Sequence, residues 1–488
     1  MHYFTSATSF SFILFFCLSA NGFSQETNTL QNKLDRLLLS SEFKYTSVSI
    51  TVVDLETSEH LAEVNPDMSI IPASSLKLLT TLSALELLSD TFQFVTRITH
   101  DGYIEQDGTL KGNIYIEGTG DPSFGSGEFK TEMDFTKLFP RIAEAIAKKG
   151  ITCVDGLIIA DESEFNAFPI SPSWQWNDLG NYYASGAWGI NINENEYTIV
   201  FKDRGTVGRR PNISYHYPTI PQLEFSNEVV VDSSHTGDQA YIFGGPYNYK
   251  KRIVGTIPQG SKTFSIKGSI PDPPLYAAYF LSKKLEDLNI SSHGYQTEYY
   301  PKAKSKRKLI TRIKSPYLKD IARTANFDSN NLYCEAILKA MGKDKNGEAT
   351  GQNGIAAIRG MLRKFKIDYK ALNMEDGSGL SARNNISSHL LADFLQQFAK
   401  KKGIDYTIDF LPKAGSQGTV RGVLRNSPAQ GHVWMKSGSM NRVLTYTGIL
   451  EDSQGNWKTF SIMINGFDVE YKVMRSKVEK MVGWIYKY

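Results

Sequence analysis

The chain has 488 residues, of which 41% are hydrophobic and 12% aromatic, and its formal net charge is +3. This composition is typical of a folded globular protein and excludes a mostly disordered chain. The length exceeds that of one ordinary domain, so we expect two or three domains. The nearly balanced charge gives no reason to expect a nucleic acid or an acidic membrane as partner.

The N-terminus carries a short apolar segment. Residues 10–20 are apolar and are followed by small and polar residues near 22–25. This length is typical of the hydrophobic core of a signal peptide and is too short to span a bilayer. The sequence therefore predicts a signal peptide at 1–24, a periplasmic location and no transmembrane anchor.

Two cysteines, Cys153 and Cys334, remain after the predicted signal peptide. We interpret both as free thiols in the core, and a single disulfide between them is the alternative. Neither their spacing nor accompanying histidines suggest a metal site, so no residue is assigned to a metal. No organic cofactor is expected either.

The first 90 residues predict a sheet with a helix packed on it. Leucines at 25–39 have helical spacing, and Val48, Ile50 and Val52 alternate with polar residues before a turn and a second strand at 61–64. An apolar helix follows and begins at about Ser74.

Between 91 and 304 the pattern changes to short strands and glycine-rich turns. The predicted elements are, in order, a helix at 135–149, a strand at 156–160, an aromatic segment at 174–188 expected to pack mainly in a core, short strands at 200–268 and a helix at 275–288. We interpret 91–304 as an inserted module with a nested β-rich subdomain at about 200–268. The basic stretch 302–308 is predicted to be a solvated linker.

The rest of the chain returns to helices and then to strands. Helices are predicted at 318–324, 332–341, 354–365 and 389–400, strands at 433–436, 444–451 and 457–465, and a helix at the end. Because helices and strands occur on both sides of the module, we predict one α+β domain formed by 25–90 and 305–488.

Ser74 and Lys77 are the first candidates for chemistry. Positions three apart share a helix face, so the Lys77 amine stands one turn from the Ser74 hydroxyl. A desolvated, neutral lysine there can take the serine proton. The same spacing at Ser41/Lys44 and at Ser305/Lys308 lies among charged neighbours and is interpreted as ordinary surface.

Two later stretches complete a set. Ser329 and Asn331 precede a predicted helix, where such residues are most often caps. The sequence Lys436-Ser437-Gly438-Ser439 lies on a predicted strand, where its simplest interpretation is an edge strand with a bulge. In this order the three stretches match Ser-x-x-Lys, Ser-x-Asn and Lys-Thr/Ser-Gly, the motifs of penicillin-binding proteins and serine β-lactamases.

Further stretches match beyond these motifs, and the chain resembles the D-alanyl-D-alanine carboxypeptidase/endopeptidase family, the low-molecular-mass class C penicillin-binding proteins. The long insertion between the first and second motifs is also characteristic of that family. The matching stretches are 72–74, 120–122, 161–165, 176–178, 376–381, 411–415 and 418–419.

The resemblance implies a β-lactamase/transpeptidase-like α+β domain, an antiparallel sheet with helices on both faces. It also implies roles for the residues of the three motifs. Ser74 would be the acylated nucleophile, Lys77 its base and Ser329 the proton relay to the leaving amine. Asn331 would hold a substrate amide. The residues expected to line or build the substrate site are Lys436, Ser437, Gly438, Ser439 and Asn441, with the backbone N–H groups of Ser74 and Ser439 as the oxyanion hole.

Substrate and partners also follow from the resemblance. It implies a serine-type D-Ala-D-Ala carboxypeptidase or endopeptidase that acts on peptidoglycan stem peptides and that β-lactams acylate at Ser74. A serine β-lactamase or esterase, or a non-catalytic cell-wall scaffold, are the alternatives, and a homodimer is left open. Cationic Lys436 is expected to keep Lys77 neutral. The chain departs from the family pattern at Ser437, where threonine is usual, and at Ala382, which stands before Arg383 where arginine usually comes first.

Overall fold

The computed structural model describes residues 29–165, 168–299 and 306–488. The predicted signal peptide lies outside these residues. Among the residues described, none of the helices is both long and apolar enough to cross a bilayer.

Helices occur where helical periodicity predicts them, with small differences at the ends. The helices are α1 (Leu30–Leu38), α2 (Leu76–Leu87), α3 (Phe135–Ala147), α4 (Pro273–Glu286), α5 (Leu318–Phe327), α6 (Asn331–Asn346), α7 (Gly351–Lys364), α8 (Ser388–Lys402), α9 (Ile404–Ile408) and α10 (Tyr471–Lys487).

The strands are more numerous than the sequence predicts, and the strand predicted at 433–436 runs four residues further, to Met440. They are β1 (Ser47–Asp54), β2 (His60–Val64), β3 (Val95–His100), β4 (Tyr103–Ile104), β5 (Thr109–Lys111), β6 (Ile114–Glu117), β7 (Cys153–Val154), β8 (Ile158–Asp161), β9 (Glu196–Lys202), β10 (Asn212–Tyr217), β11 (Glu224–Asn227), β12 (Val230–Asp232), β13 (Gln239–Phe243), β14 (Lys250–Pro258), β15 (Phe264–Ser269), β16 (Tyr295–Glu298), β17 (Lys308–Lys314), β18 (Val433–Met440), β19 (Val443–Glu451) and β20 (Trp457–Asn465).

One antiparallel sheet joins the two ends of the chain in the order β18-β19-β20-β1-β2. Alternation along β1 explains its two faces. Ile50 and Val52 pack in a core with α1 and α10, whereas the hydroxyls of Ser49 and Thr51 face the other side and contact Ser388 of α8. Helices therefore cover both faces, and the predicted α+β fold class is confirmed.

The inserted segment has its own sheet, in the order β16-β8-β6-β3-β17, with α3 and α4 packed against it. Two small sheets follow within it, β10-β9-β15 and β11-β14-β12, and β13 pairs with β14. These small sheets run from 196 to 269, which agrees with the β-rich stretch predicted at about 200–268.

The strand β17 changes the predicted boundary at 305. It pairs antiparallel with β3, so residues 308–314 belong to the sheet of the inserted module and the chain returns to the first domain after them. Arg307 also departs from the prediction of a solvated linker. Its side chain is 11% exposed and forms ion pairs with Glu117 at 2.9 Å and with Asp161.

The two cysteines in the described residues are free thiols, as predicted. Cys334 is buried in α6, but Cys153 is only partly buried, and its Sγ lies 3.4 Å from Ser291 Oγ. The prediction that both lie in the core is therefore wrong for Cys153, which lies on the short strand β7.

Candidate active site

Ser74 lies in a 3-10 turn, Ala73–Ser75, that leads directly into α2. The turn begins with Ala73 at φ +46°, a backbone conformation that costs a non-glycine residue energy and is common at functional sites. It puts the Ser74 hydroxyl at the start of an almost completely buried helix. Lys77, one turn later, has no exposed surface at all.

The buried amine of Lys77 has three contacts. Its Nζ lies 2.9 Å from Ser74 Oγ, 2.6 Å from Asn331 Oδ1 and 2.6 Å from the backbone carbonyl oxygen of Ser378. The amide and backbone oxygens can only accept hydrogen bonds. A neutral amine has two hydrogens, and donating both to these oxygens leaves its lone pair for the Ser74 hydroxyl.

The second motif stands at the start of α6. Asn330 is the N-cap and accepts a hydrogen bond from Tyr333 N, and Asn331 is the first helical residue. The Asn331 amide spans two contacts, because its Oδ1 accepts from Lys77 and its Nδ2 donates to the backbone oxygen of Tyr183 at 2.7 Å. Ser329 has φ +59°, and this conformation precedes the cap.

The third motif lies on the edge strand β18. Lys436 Nζ donates to Ser329 Oγ at 3.0 Å and to the backbone oxygen of Ser437 at 2.8 Å, so it links the second motif to the third. The Ser437 hydroxyl contacts the Thr419 hydroxyl at 2.8 Å.

Gly438 lets this strand approach the nucleophile. A Cβ at this position would lie 2.6 Å from Pro72 O and 2.9 Å from Ser74 N, closer than a real Cβ approaches backbone atoms. A residue with a side chain would therefore push β18 away from the Ser74 turn.

Burial is the main influence on the pKa values of both lysines. It lowers the pKa of Lys77, although neighbouring Cys334, Asp376 and Glu335 act in the opposite direction. The pKa of Lys436 is lowered well below its usual range by burial and also by Lys77. Desolvation is the main cause at Lys77, and the mutual repulsion of the two lysines disfavours the state in which both amines are charged.

The loop at 376–379, between α7 and α8, supplies and orients the backbone oxygen that Lys77 Nζ contacts. The carboxylate of Glu335 accepts hydrogen bonds from Gly377 N and from Ser378 N at 2.8 Å, which fixes the Ser378 carbonyl that Lys77 contacts. Burial and neighbouring Asp376 raise the pKa of Glu335 to about 7. In the same loop Gly379 has φ +79°, and a Cβ there would lie 2.0 Å from Ala73 O.

The inserted module contacts this framework through buried polar groups. Trp174 Nε1 donates to Asp376 Oδ2 at 2.8 Å, and Tyr333 Oη of α6 donates to Glu194 at 2.5 Å. Together with the Asn331–Tyr183 contact, these bonds attach the inserted module to the loop that contains Asp376 and to α6. Within the predicted aromatic segment Trp174 and Trp188 are buried, as expected, whereas Trp176 is exposed.

One cavity of about 1140 Å³ brings the predicted residues together. Its lining includes the side chains or backbone of Ser74, Ser329, Asn331, Ser437, Ser439 and Asn441, while Lys77 and Lys436 lie buried behind it. Asn441, two residues after Ser439, would be expected to continue the same strand, but it lies in the turn between β18 and β19.

Several residues that line the cavity were not predicted to belong to the site. Acidic and aromatic groups of the inserted module line it, and Thr419 lies beside Ser437. The module side chains are Glu128, Asp178, Tyr182, Tyr183, Glu194, Glu196, Tyr241 and Lys267. The sequence held only faint signals for them, the aromatic segment and the stretches 176–178 and 418–419.

The chain departs from the family pattern at Ser437 and at Ala382, which stands before Arg383, and both Ser437 and Ala382 line the cavity. Arg383 is largely exposed, and its guanidinium lies 3.8 Å from Glu375. Position 382, which faces the cavity, therefore carries no charge in this chain.

A serine next to a buried lysine, with Ser-x-Asn and Lys-Ser-Gly completing the wall beside an antiparallel sheet, is the arrangement that the motifs of penicillin-binding proteins and serine β-lactamases describe. The model of the D-Ala-D-Ala carboxypeptidase 3 (S13) family matches residues 30–488. The chain therefore belongs to this family of serine-type D-Ala-D-Ala carboxypeptidases, and the resemblance found in the sequence is confirmed.

Individual relatives agree with this assignment. The chain is 25% identical to the D-alanyl-D-alanine carboxypeptidase DacB of Haemophilus influenzae over 91% of each chain. It is 22% identical to a D-alanyl-D-alanine carboxypeptidase of Actinomadura sp., over 90% of this chain and 81% of the relative. The crystal structure of penicillin-binding protein 4 from H. influenzae has the same fold, with a TM-score of 0.78 at 23% identity, covering 91% of this chain and 97% of that one.

Proposed function

We propose that Ser74 is the nucleophile with which this protein cleaves the D-Ala-D-Ala bond of peptidoglycan stem peptides. The observation that carries the proposal is the contact set of Lys77, in which two obligate acceptors use both hydrogens of a neutral amine and leave its lone pair for Ser74. Burial of the amine favours that neutral form.

Acylation then follows from the same contacts. Ser74 Oγ attacks the carbonyl carbon of the penultimate D-alanine as its proton passes to Lys77 Nζ. The backbone N–H groups of Ser74 and Ser439 would stabilise the tetrahedral oxyanion, and one such donor is typically worth about 3 kcal/mol. When the C–N bond breaks, Lys77 gives up this proton, which reaches the amine of the terminal D-alanine by way of the Ser329 hydroxyl, itself hydrogen-bonded to Lys436. Water then hydrolyses the ester and regenerates Ser74.

The third motif would hold the terminal carboxylate of the substrate. Ser437 and Thr419 present two hydroxyls to the cavity, and Lys436 lies directly behind them. Asn331 lines the cavity as well, although both ends of its amide already have partners. We infer that it positions Lys77 and contacts a substrate amide with its second Nδ2 hydrogen or with the remaining acceptor capacity of Oδ1.

β-Lactams would acylate Ser74 as mimics of this substrate. One solved structure of penicillin-binding protein 4 from H. influenzae is of a complex with a β-lactam, and its TM-score with this chain is 0.75. A periplasmic location is proposed with the substrate, because stem peptides lie outside the cytoplasmic membrane. The signal peptide and the homodimer stay predictions.

Two synthetic substrates test the proposal. A stem pentapeptide ending in D-Ala-D-Ala and a cross-linked peptide dimer are incubated with wild-type protein and with Ser74→Ala. We expect free D-alanine from the pentapeptide with the wild type and none with the variant, and cleavage of the dimer would add endopeptidase activity. Penicillin hydrolysis is measured in parallel. Rapid hydrolysis of penicillin without peptide cleavage would favour the β-lactamase alternative. The absence of both reactions would favour the scaffold alternative.

A further inference from the structure

A second group of titratable side chains lies away from the cavity, where β2 meets α8. His60 Nε2 lies 3.2 Å from Asp393 Oδ1, and His389 Nε2 lies 3.0 Å from Asp393 Oδ2. His389 and Asp393 are four residues apart on α8 and therefore share a face of that helix. The potential ligand atoms of the three residues all lie within 4.8 Å of one another.

The other ring nitrogen of each histidine also faces a carboxylate. His60 Nδ1 lies 2.7 Å from Glu63 Oε1, and His389 Nδ1 lies 3.0 Å from Asp67 Oδ1. If each Nδ1 carries the hydrogen that its carboxylate accepts, both Nε2 lone pairs point at the carboxylate of Asp393. Lone pairs and an anionic oxygen repel each other, so the centre needs positive charge, either as two further protons or as one cation.

The geometry fits a cation. Tetrahedral Zn²⁺ with ligands at about 2.0–2.1 Å holds neighbouring ligand atoms about 3.3 Å apart. The two imidazole nitrogens lie 3.2 Å and 3.0 Å from Asp393, each from a different carboxylate oxygen, and one ligand atom from each residue lies within 4.8 Å of the others. A small movement of these partly exposed side chains would therefore bring one oxygen and both nitrogens to Zn²⁺ distances. Histidines that bind a metal nearly always donate their other N–H to a carboxylate or carbonyl, as Glu63 and Asp67 allow. Two imidazoles and a carboxylate are a ligand set that late first-row divalent ions prefer.

We propose that His60, His389 and Asp393 bind a late first-row divalent cation such as Zn²⁺. Three carboxylates surround the two imidazoles, so a dication also offsets the local negative charge. The side chains of the three ligands are 26%, 37% and 24% exposed, which gives a solution ion access and leaves room for water as a further ligand. None of the three lines the cavity described above.

The site would join an edge strand to a helix. His60 lies on β2 at the end of the sheet order, and the other two ligands lie on α8, which packs across β1 and β20. A cation bound there crosslinks elements that are far apart in the chain. Because the unfolded chain lacks the assembled site, binding would raise the melting temperature of the protein.

The test uses the full mature chain without a histidine tag, stripped of metal with a chelator. Zn²⁺ binding is measured by calorimetry, and Co²⁺ binding by visible absorption, whose bands report nitrogen and oxygen ligands in a four-coordinate site. Variants His389→Gln and Asp393→Asn each remove one ligand with little change in volume, and Glu63→Gln weakens the support of His60. His432→Gln is the matched control, since His432 is 43% exposed and faces a single carboxylate, Glu451.

We expect one equivalent of metal and a higher melting temperature with Zn²⁺ for the wild type and for His432→Gln. Binding should weaken by at least about 10-fold in either ligand variant and by about 10-fold to 100-fold in Glu63→Gln. If the wild type binds no stoichiometric metal, the proposal is wrong. Unchanged binding in folded His389→Gln and Asp393→Asn would also overturn it, and the wild-type titration stands even where a variant fails to fold.

Discussion

Asn331 Oδ1 lies 2.6 Å from Lys77 Nζ, although the two residues belong to different motifs and to different helices. The amide oxygen orients the amine without adding a charge. A carboxylate at the same place would form an ion pair with Lys77 and raise its pKa.

The variant Asn331→Asp should therefore slow acylation by penicillin by about 100-fold or more at neutral pH, the scale of lost general-base catalysis. The acid side of its pH profile should also move to higher pH. Stopped-flow or quenched mass measurements of the acylation rate check this. Asn330→Asp is the matched control, because it adds the same charge one residue away and aspartate caps a helix as well as asparagine does. Equal losses in both variants would mean that added charge alone slows the reaction.

The wild-type pH profile is predicted from the burial of Lys77. Only the neutral amine can accept the Ser74 proton, and burial lowers its pKa from the usual 10.5. The sign follows: the acylation rate falls as the pH drops and the amine gains a proton, and it levels off at a pH below 10.5. Because Lys77 and Lys436 interact, the midpoint belongs to the pair. A rate that still rises at pH 10.5 would show an ordinary, solvated lysine.

Variants of Ser329 can distinguish the contribution of its hydroxyl from that of its backbone conformation. Its φ of +59° costs a residue with a Cβ on the order of 1 kcal/mol, which glycine does not pay. We expect both Ser329→Ala and Ser329→Gly to slow release of D-alanine by about 100-fold or more, because both lose the proton relay. The release is followed with a coupled D-amino-acid assay. A glycine variant with near wild-type activity would indicate that backbone conformation matters at this position and the hydroxyl does not.

Gly438→Ala tests the close approach of β18 to the nucleophile. The added methyl group would lie 2.3 Å from Thr445 Oγ1 and 2.9 Å from Ser74 N, so the strand has to move. We expect a loss of about 1–3 kcal/mol in stability and slower acylation, measured by thermal unfolding and by penicillin labelling. Gly483→Ala in α10 is the control. Apart from its own helix, no atom of the described residues lies within 4 Å of a Cβ there, so this change should be neutral or stabilising by up to about 1 kcal/mol. Similar losses in both variants would contradict the steric explanation.

The sequence predicts the parts of the fold and site that depend on local pattern. The Ser74–Lys77 pair follows from helical spacing, and the central strands from alternation. Contacts between distant parts of the chain have no such signal. The contact between Lys436 and Ser329 exists only because β18 and the start of α6 meet in space. Likewise, the burial that sets the pKa of Lys77 results from tertiary packing.

Arg307 and β17 show why the domain boundary was misplaced. A basic stretch normally indicates solvent, and the sequence around 302–308 has that character. The acids that pair with Arg307 come from β6 and β8, far back in the chain. Ile310 and Ile313 of β17 are buried in the core of the inserted module. Contacts with distant partners therefore attach Arg307 and the strand that follows it to the inserted module.

The central claim is that Ser74 forms an acyl-enzyme, and intact-mass spectrometry after exposure to a penicillin tests it most directly. The wild type, Ser74→Ala and Ser83→Ala are compared. Ser83 is a buried serine on the same helix, and its hydroxyl makes no hydrogen bond within the described part of the chain. We predict one covalently bound drug per chain in the wild type and in Ser83→Ala, and none in Ser74→Ala. An adduct that persists in Ser74→Ala, or a wild type that neither binds nor hydrolyses the drug, would contradict the account.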